Sequence, residues 1–171
     1  MTIQLNDAPP VGAGFLARTA VVIPALNEAA CVTDTVLYWR RRGAAFVRVV
    51  DNGSTDATAR RAHDAGADVR SEPRRGYGAA AWAGTRDLPA RIEWILFSSA
   101  DGSDRLDDAA AVAFQREIDL GAALVLGERV SRPDSRRRLT TTQRFGNALC
   151  CALIALGWGR RFRDMASLRV I

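Results

Sequence analysis

Acidic side chains follow three of the apolar segments whose composition predicts β-strands. Glu28 comes after the first segment, Asp51 and Asp56 after the second, and Asp101 and Asp104 after the fourth. In a parallel sheet the carboxyl ends of the strands share one edge, so these carboxylates are expected to converge there. Mg²⁺ and Mn²⁺ prefer carboxylate oxygens and often share them with the phosphates of a substrate. The pair Asp101 and Asp104, set among small residues, is therefore a candidate metal site.

Several of these motifs also have purely structural explanations. Asp and Asn are ordinary helix N-caps, so Asp56 is equally well explained as the start of a helix. The Gly76-Tyr77-Gly78 loop lets the backbone approach a ligand, yet two such glycines also make a common turn. Neither Gly-Lys-Ser/Thr nor a Gly-x-Gly-x-x-Gly after the first strand is present, which argues against P-loop hydrolysis and dinucleotide binding. His63 is the single histidine, which excludes His-based triads and multi-His metal sites.

Strands and helices must alternate to bring these loops together. β-rich runs predict strands at residues 19–23, 46–50, 67–70, 94–101 and 122–126. Helical periodicity predicts helices between Asn27, as a cap, and Gly43, then up to residue 65, and over 79–86, 107–120 and 143–156. This order predicts an α/β fold with a mostly parallel central sheet flanked by helices.

The composition fits one globular domain. Of 171 residues, 48% are hydrophobic, which is enough for one core without disulfides. Residues 1–18, rich in Pro, Gly and Ala, are expected to form a flexible lead-in to a domain over residues 19–171. We see no signal-peptide pattern, and the longest apolar run, 148–158, is well short of the roughly 20 residues that span a bilayer. The expected location is the cytoplasm, with contact to the inner face of the membrane as a further option.

The basic residues are all arginines. The chain has 24 of them and a formal net charge of +5, which a compositional bias of the genome explains first and anionic partners second. An Arg-rich loop over residues 131–142 is either a solvated segment or a grip for phosphate. Because the arginines are scattered and not patterned with stacking aromatics, no nucleic-acid partner is expected.

Ordered sequence blocks resemble glycosyltransferase family 2, which has the GT-A fold, and more narrowly its bacterial dolichol-phosphate-mannosyltransferase-like branch. The blocks are Val21-Val22-Ile23-Pro24-Ala25-Leu26-Asn27-Glu28, Val49-Val50-Asp51-Asn52-Gly53-Ser54-Thr55-Asp56, Arg75-Gly76-Tyr77-Gly78-Ala79-Ala80, Ala100-Asp101-Gly102-Ser103-Asp104 and Gln143-Arg144-Phe145-Gly146-Asn147. Their order and spacing are specific for the family, though not for a substrate.

The resemblance implies transfer of a sugar from a nucleotide-diphosphate sugar to an acceptor. Asp101 matches the second carboxylate of the family's Asp-x-Asp motif, which holds Mg²⁺ or Mn²⁺ on the donor diphosphate, and it is the first catalytic candidate together with Asp164, an acceptor-side acid or general base. The residues expected to line the donor site by the same resemblance are Pro24, Asn27, Glu28, Asp51, Asn52, Arg75, Gly76, Gly78, Ala100 and Asp101.

The chain departs from the family pattern at two points. Ser99 stands where the first Asp of Asp-x-Asp is expected, so Asp104 is the candidate for the missing metal ligand. In the family, further helices follow the segment matching residues 163–169, so the domain is expected to be short at its C-terminus and its acceptor side incomplete.

Three functions remain to be distinguished at this stage. Metal-assisted glycosyl transfer to a polyprenyl phosphate or a small molecule is favoured, and a non-catalytic or degenerate nucleotide-sugar-binding homologue is the alternative that Ser99 suggests. A nucleotidyltransferase with the same α/β plan would release pyrophosphate in place of nucleoside diphosphate. The donor sugar, its base and the oligomeric state cannot be read from the sequence.

Overall fold

A computed structural model of the chain describes residues 14–127, 141–159 and 169–171. The six strands are β1 (Thr19–Ala25), β2 (Phe46–Asp51), β3 (Asp68–Ser71), β4 (Trp94–Phe97), β5 (Val125–Leu126) and β6 (Arg169–Val170). The helices are α1 (Val32–Arg41), α2 (Thr58–Asp64), α3 (Tyr77–Thr85), α4 (Asp108–Asp119) and α5 (Thr141–Trp158), preceded by a 3₁₀ helix, Gly14–Arg18.

One sheet contains all six strands, in the order β3-β2-β1-β4-β6-β5. Strands β1 to β4 are parallel, and β6 pairs antiparallel with both β4 and β5. Only β6 therefore runs against the other five, and the predicted mostly parallel sheet flanked by helices is confirmed. The chain leaves β1 toward β2 and β3 and returns to β4 on the other side of β1, which places a crevice beside the carboxyl end of β1.

Alternating side chains of the central strands bury the two faces of the sheet under different helices. Val21 and Ile23 point into the larger core, where α1 and α4 contribute Trp39 and Phe114. Val22 faces the opposite side, where α3 packs. At this contact a Cβ on Gly84 would lie 2.2 Å from a methyl group of Val22, so only glycine allows α3 to approach the sheet this closely.

The lead-in is shorter than expected. Residues Gly14–Arg18 form the 3₁₀ helix, in which Phe15 and Leu16 are fully buried. The Phe15 ring stacks on Phe114 of α4, 6.2 Å between centroids. This apolar anchoring was not evident in a segment read by its Pro, Gly and Ala content, and the expectation of a flexible segment fails for residues 14–18.

Two other local expectations also need correction. Helix α1 begins only at Val32 and has no side-chain cap, because Asn27 adopts a left-handed conformation in the preceding loop, with φ of 57°. Strand β1 continues through Pro24 to Ala25, two residues beyond the end predicted from the sequence. Proline is tolerated because β4 pairs with β1 only as far as Val22, which leaves β2 as the one strand beside Pro24.

Helix α5 covers the predicted 143–156 segment, and strand β6 was not predicted from the sequence at all. No helix in the described part of the chain is long and apolar enough to cross a lipid bilayer.

Candidate functional site

Three acidic residues lie at the carboxyl edge of the sheet, on the loops that follow adjacent strands. Asp51 is the last residue of β2, Glu28 lies three residues after β1, and Asp101 lies four residues after β4. The order β2-β1-β4 makes these strands neighbours, so Glu28 and Asp101 flank the crevice at the end of β1. The convergence predicted from the sequence is therefore present in the fold.

Glu28 lies close enough to two other acidic residues for their charges to shift its pKa. Partial burial raises the pKa of Glu28 above its usual range, and the negative charges of Asp101 and Asp56 raise it further. Mutual repulsion of carboxylates in one cleft is released when a cation or a proton enters. The shift reflects how close the loops after β1, β2 and β4 lie to one another.

Asp101 is an exposed carboxylate held by its own loop. Its Oδ1 accepts a hydrogen bond from the backbone N–H of Ser103 at 2.8 Å. Burial opposes ionisation, but hydrogen bonds from Ser103 and from the side chain of Ser99 outweigh it, and the pKa of Asp101 lies below its usual value. The carboxylate is therefore ionised at neutral pH and open to solvent. Ser99, the residue in place of the expected acid, helps to orient it.

Asp104 has a different environment from Asp101, although both were predicted to bind metal. It is only 8% exposed, and its Oδ2 accepts the backbone N–H of Ser99 at 2.6 Å. This bond closes the loop that displays Asp101. In the described part of the chain, no group of three or more His, Cys, Asp or Glu side chains is arranged to hold a metal ion. The metal role of Asp104 stays a prediction.

The loops after β1 and β2 are joined by their side chains. Asn27 accepts the backbone N–H of Thr55 at 2.9 Å, and its own N–H donates to Ser54 Oγ at 2.9 Å. The backbone N–H of Glu28 donates to Thr58 Oγ1 at 2.8 Å. These bonds hold the Glu28 backbone beside the end of β2.

Asp56 is used within this scaffold. Its two carboxylate oxygens accept hydrogen bonds from Ala29 N–H at 3.1 Å and Thr58 N–H at 2.9 Å, and from the Thr58 hydroxyl. The bonds from Thr58 and Ala29 lower the pKa of Asp56. The sequence offered Asp56 as either a ligand-binding acid or a residue that supports the start of a helix. Its bonds to Thr58 show the second role, at the start of α2.

Asn52 positions the glycine-containing loop. Its Nδ2 donates to the carbonyl oxygens of Glu72 and Arg74, at 2.8 and 2.7 Å, and its Oδ1 accepts Gly76 N–H at 2.7 Å. With only 5% of the residue exposed, Asn52 acts mainly by holding this loop. Arg75 is exposed, and a Cβ at Gly76 or Gly78 would meet nothing within 4 Å, so this side of the loop is open.

The remaining donor-site candidates also occupy the edge. Pro24 is half-buried near the end of β1, Asn27 is exposed, and Ala100 is 3% exposed just before Asp101. Asp51 Oδ1 accepts the N–H of Ser54 at 3.3 Å. Asp164 and the Arg-rich loop over residues 131–140 lie outside the described residues, so their predicted roles stay predictions.

Sequence reasoning missed the side chains of α1 that hold the β4 loop. Thr35 Oγ1 donates to Ala100 O at 3.1 Å, and Trp39 Nε1 donates to Ser98 Oγ at 3.0 Å. The Tyr38 hydroxyl donates to Leu106 O at 3.0 Å and accepts Leu106 N–H at 2.8 Å. The signal was present in the sequence as polar groups on an otherwise apolar helix face.

Arg169 is another residue near the site that sequence reasoning missed. Strand β6 pairs Arg169 with Phe97, the last residue of β4, so the guanidinium reaches the functional edge. It lies 5.8 Å from the Phe97 ring centroid and 5.9 Å from that of Tyr77. An arginine beside the crevice adds positive charge to an edge that otherwise carries three acids.

An α/β sheet with its crevice and acidic residues at one carboxyl edge defines a ligand-binding domain of the doubly wound type. The sequence pattern of Glycosyl transferase family 2 matches residues 20–168. The chain belongs to this family, and the resemblance seen in the sequence is confirmed at the family level.

Relatives of known sequence agree with this assignment. Glycosyltransferase AglJ of Haloferax volcanii is 32% identical over 149 residues, covering 86% of this chain and 47% of that protein. An uncharacterized glycosyltransferase of Mycobacterium tuberculosis is 35% identical over 156 residues, covering 88% of this chain and 65% of that protein. The chain thus spans between about half and two thirds of the length of these relatives.

Solved structures share the fold. Mannosyl-3-phosphoglycerate synthase from Rubrobacter xylanophilus superposes with a TM-score of 0.64 at 21% identity, covering 89% of this chain and 52% of that one. Glucosyl-3-phosphoglycerate synthase of Mycobacterium tuberculosis gives a TM-score of 0.60 at 24% identity, covering 89% and 56%. The expected GT-A fold is confirmed. The dolichol-phosphate-mannosyltransferase-like branch stays a prediction.

Proposed function

We propose that this chain transfers a sugar from a nucleotide-diphosphate sugar to an acceptor with the help of Mg²⁺ or Mn²⁺. The observation that supports this most is that the loops after β2, β1 and β4 lie side by side at the carboxyl edge, where Glu28 is close to the charges of Asp101 and Asp56. Family membership supports the reaction class. Among proteins with the same fold, the mycobacterial glucosyl-3-phosphoglycerate synthase has been crystallised with Mn²⁺, UDP-glucose and phosphoglyceric acid.

The side chains present suit a cation that is only partly held by protein. Asp101 offers one ionised, exposed carboxylate, and Glu28 a second close by. Mg²⁺ characteristically takes one or two carboxylates and completes its shell with water and substrate phosphates. When bound, the cation neutralises charge on the departing nucleoside diphosphate. Replacement of the usual first acid by Ser99 removes one negative charge from this edge, which weakens metal binding.

Each residue of the edge has a proposed task. Asp51, at the end of β2, contacts the base or ribose, and the open backbone at Gly76 and Gly78 lies against the donor. Asp101 binds the metal. Asp164, outside the described residues, is the proposed general base that takes the proton from the acceptor hydroxyl or phosphate.

The direct test is incubation of the purified chain with UDP-, GDP- and dTDP-sugars, with Mn²⁺ or EDTA. Release of nucleoside diphosphate that depends on Mn²⁺ supports glycosyl transfer. Release of pyrophosphate would instead identify a nucleotidyltransferase. A stabilised melting transition without any product would favour the second candidate, a donor-binding homologue without catalysis.

Ser99 is the observation that favours this second candidate, and Ser99→Asp separates the two. Added carboxylate charge is expected to tighten Mn²⁺ binding about tenfold, because divalent ion affinity rises with the number of charged ligands. If the wild type binds donor and neither form turns over, the non-catalytic candidate is correct. Leu120→Asp, which adds the same charge at an exposed site at the end of α4, controls for the change in net charge.

The acceptor and the location are finer parts of this proposal. A polyprenyl phosphate or a small molecule is proposed as acceptor, and the cytoplasmic face of the membrane as location. Helix α5 supports membrane contact because Leu149, Leu153 and Leu156, at i, i+4 and i+7, are 49%, 56% and 84% exposed. The helix contains no acidic residue, and arginines lie before it at 136–138 and after it at 160, 161 and 163.

An anionic bilayer is the surface that this pattern fits, since it takes both leucines and arginines. Sedimentation with vesicles of 30% phosphatidylserine is expected for the wild type and is lost in Leu153→Ser/Leu156→Ser. Val112→Ser, at an exposed apolar site on α4, should sediment as the wild type does. Dimerisation in solution that the same double substitution abolishes, without vesicle binding, would assign the face to a second copy instead.

A further inference from the structure

A groove of about 470 Å³ opens along α1, outside the set of residues predicted for the donor, the metal or catalysis. It is lined by Asp34, Tyr38, Arg41, Arg42 and Arg105. Asp34, Tyr38 and Arg41 lie on α1 at positions i, i+4 and i+7, which share one face of a helix, and Arg42 directly follows the helix. Arg105 reaches the groove from the segment between β4 and α4.

Three guanidinium groups meet at this groove, and their hydrogen-bonding capacity is largely unused. Nε of Arg41 donates to Leu37 O at 3.2 Å, and Nε of Arg105 donates to Gly102 O at 3.1 Å. Within the described residues, the terminal nitrogens of both side chains make no hydrogen bond. Guanidinium groups with open donor pairs are the protein's preferred ligands for phosphate and carboxylate.

Arg42 gives a second, independent indication that the groove suits an anionic ligand. Its Nη1 lies 2.6 Å from a carboxylate oxygen of Asp108, a side chain that is 69% exposed. Its Nε and Nη2 are buried and have no hydrogen-bond partner in the described part of the chain. Buried donors without a partner cost stability. Asp108 shows that one edge of this guanidinium accommodates an oxyanion.

The opposite end of the groove carries a hydrogen-bond acceptor, the carboxylate of Asp34. Asp34 precedes Arg41 by seven residues, which separates their Cα atoms by about 10 Å along the helix axis. The Asp34 carboxylate is exposed and makes no hydrogen bond or ion pair with the described residues. Between the two ends lies Tyr38, whose ring is covered by the Arg105 guanidinium at 4.3 Å from its centroid. The groove is therefore cationic at one end and anionic at the other.

We propose that this groove binds a small phosphorylated polyhydroxyl compound, such as a sugar phosphate. The phosphoryl group accepts hydrogen bonds from the terminal nitrogens of Arg41 and Arg105 beside the positive charge of Arg42, and the hydroxyl groups at the far end donate to Asp34. The groove length of about one and a half to two helical turns matches a sugar ring with its phosphate. This proposal does not depend on the proposed glycosyl transfer, because none of its residues belongs to the crevice of Glu28, Asp51 and Asp101.

Calorimetric titration with glucose 6-phosphate, inorganic phosphate and glucose, in EDTA, tests the site. Glucose 6-phosphate is expected to bind with millimolar affinity or better, about tenfold tighter than inorganic phosphate, and glucose should give no saturable heat. Arg41→Gln and Arg105→Gln change exposed side chains, and each should weaken glucose 6-phosphate about tenfold, as expected for loss of a charge-assisted contact. Asp34→Asn should remove the preference over inorganic phosphate.

Two controls locate the binding. Arg60→Gln removes an exposed arginine of α2, and Asp51→Asn alters the crevice, and both are expected to bind glucose 6-phosphate as the wild type does. The proposal is overturned if the wild type shows no saturable binding up to 20 mM. It is equally overturned if Arg41→Gln and Arg105→Gln bind with unchanged affinity, or if Asp51→Asn alone abolishes binding.

Discussion

The loop after β2 and the loop after β4 look alike in sequence, each with two acids among small polar residues, but they use their acids differently. In the β2 loop, Asp56 is occupied by backbone and hydroxyl donors, and its neighbours tie this loop to the one after β1. In the β4 loop, Asp104 closes the loop from inside, which leaves Asp101 exposed. In each loop, therefore, one carboxylate stabilises the loop through hydrogen bonds. Another acidic side chain of the same loop remains free to face the crevice.

This comparison teaches that local pairing, not residue type, decides which acid is available. A carboxylate that already accepts two or three backbone N–H groups gains little from a further cation. Asp101 also accepts hydrogen bonds, from the backbone and side chain of Ser103 and from the side chain of Ser99, but its carboxylate is exposed, whereas that of Asp104 is buried. The difference predicts that equivalent substitutions in one loop affect different properties.

The largest effect is expected for Asp101→Asn. Loss of the charged ligand should lower kcat/KM for sugar transfer at least about 100-fold, or about 2.7 kcal/mol of transition-state stabilisation. The free energy of unfolding should change little, because the side chain is exposed. Steady-state nucleoside diphosphate release and urea unfolding measure the two quantities. Asp64→Asn, at an exposed acid of α2, is the control and should leave both unchanged.

Asp104→Asn should reverse this pattern. An amide oxygen in place of the buried carboxylate can still accept the Ser99 N–H but without the negative charge, and a loss of about 0.5–1.5 kcal/mol of stability is expected. Chemical denaturation gives this value. A variant that keeps wild-type stability and loses Mn²⁺ binding would contradict the scaffold role and support Asp104 as a metal ligand.

Asn52→Ala tests the scaffold on the β2 side. Three hydrogen bonds are removed and the buried carbonyl oxygen of Glu72 loses its bond to the Asn52 side chain, so a loss of about 2–3 kcal/mol is expected. KM for the donor should rise with it, because the loop at Gly76 is released. Thr55→Ala, which removes only a hydroxyl bond of 3.3 Å to Asn27, should cost less than about 0.5 kcal/mol. Equal losses in the two variants would refute the special role of Asn52.

Tyr38→Phe examines how α1 holds the β4 loop. The hydroxyl bonds both backbone groups of Leu106, so its removal should cost about 1–2 kcal/mol and loosen the segment after Asp101. Hydrogen exchange at Leu106 N–H is expected to accelerate, while exchange in β1 should stay as in the wild type. Unchanged exchange at Leu106 would show that the Tyr38 hydroxyl does not hold this segment.

The smallest change in the free energy of unfolding is expected for Glu28→Gln, and its size depends on pH. Because the pKa of Glu28 is raised in the folded state, ionisation of Glu28 costs stability as pH rises from its usual value of 4.5. The neutral variant should therefore be more stable than the wild type near pH 7, by less than about 1 kcal/mol at this partly solvated site, and equally stable below pH 4. Thermal melts at pH 3.5 and 7 measure this difference. A stability loss at pH 7 would show that Glu28 has a stabilising partner instead.

Much of the fold could be predicted from sequence because its signals are local. Apolar β-rich runs such as the one ending in Phe97, and helical periodicity with glycine stops such as Gly43, predicted five of the six strands and the five helices. Strand β6 could not be found this way. A strand of two residues is too short to show a hydrophobic pattern in the sequence. Arg169–Val170 is a strand only because the edge of β4 offers it hydrogen bonds.

The sequence alone determined the family, the parallel order of the first strands and the identity of the acids that reach the carboxyl edge, because these follow from motifs and from the direction of βαβ units. Only the tertiary structure decided which acids remain available. Asp101 and Asp104 lie three residues apart and are chemically identical, and one accepts a buried backbone N–H while the other faces solvent. The physical reason is that these short-range bonds depend on the conformation of the β4 loop, and side chains distant in sequence, such as Thr35 and Tyr38 of α1, hold that loop only after the chain has folded.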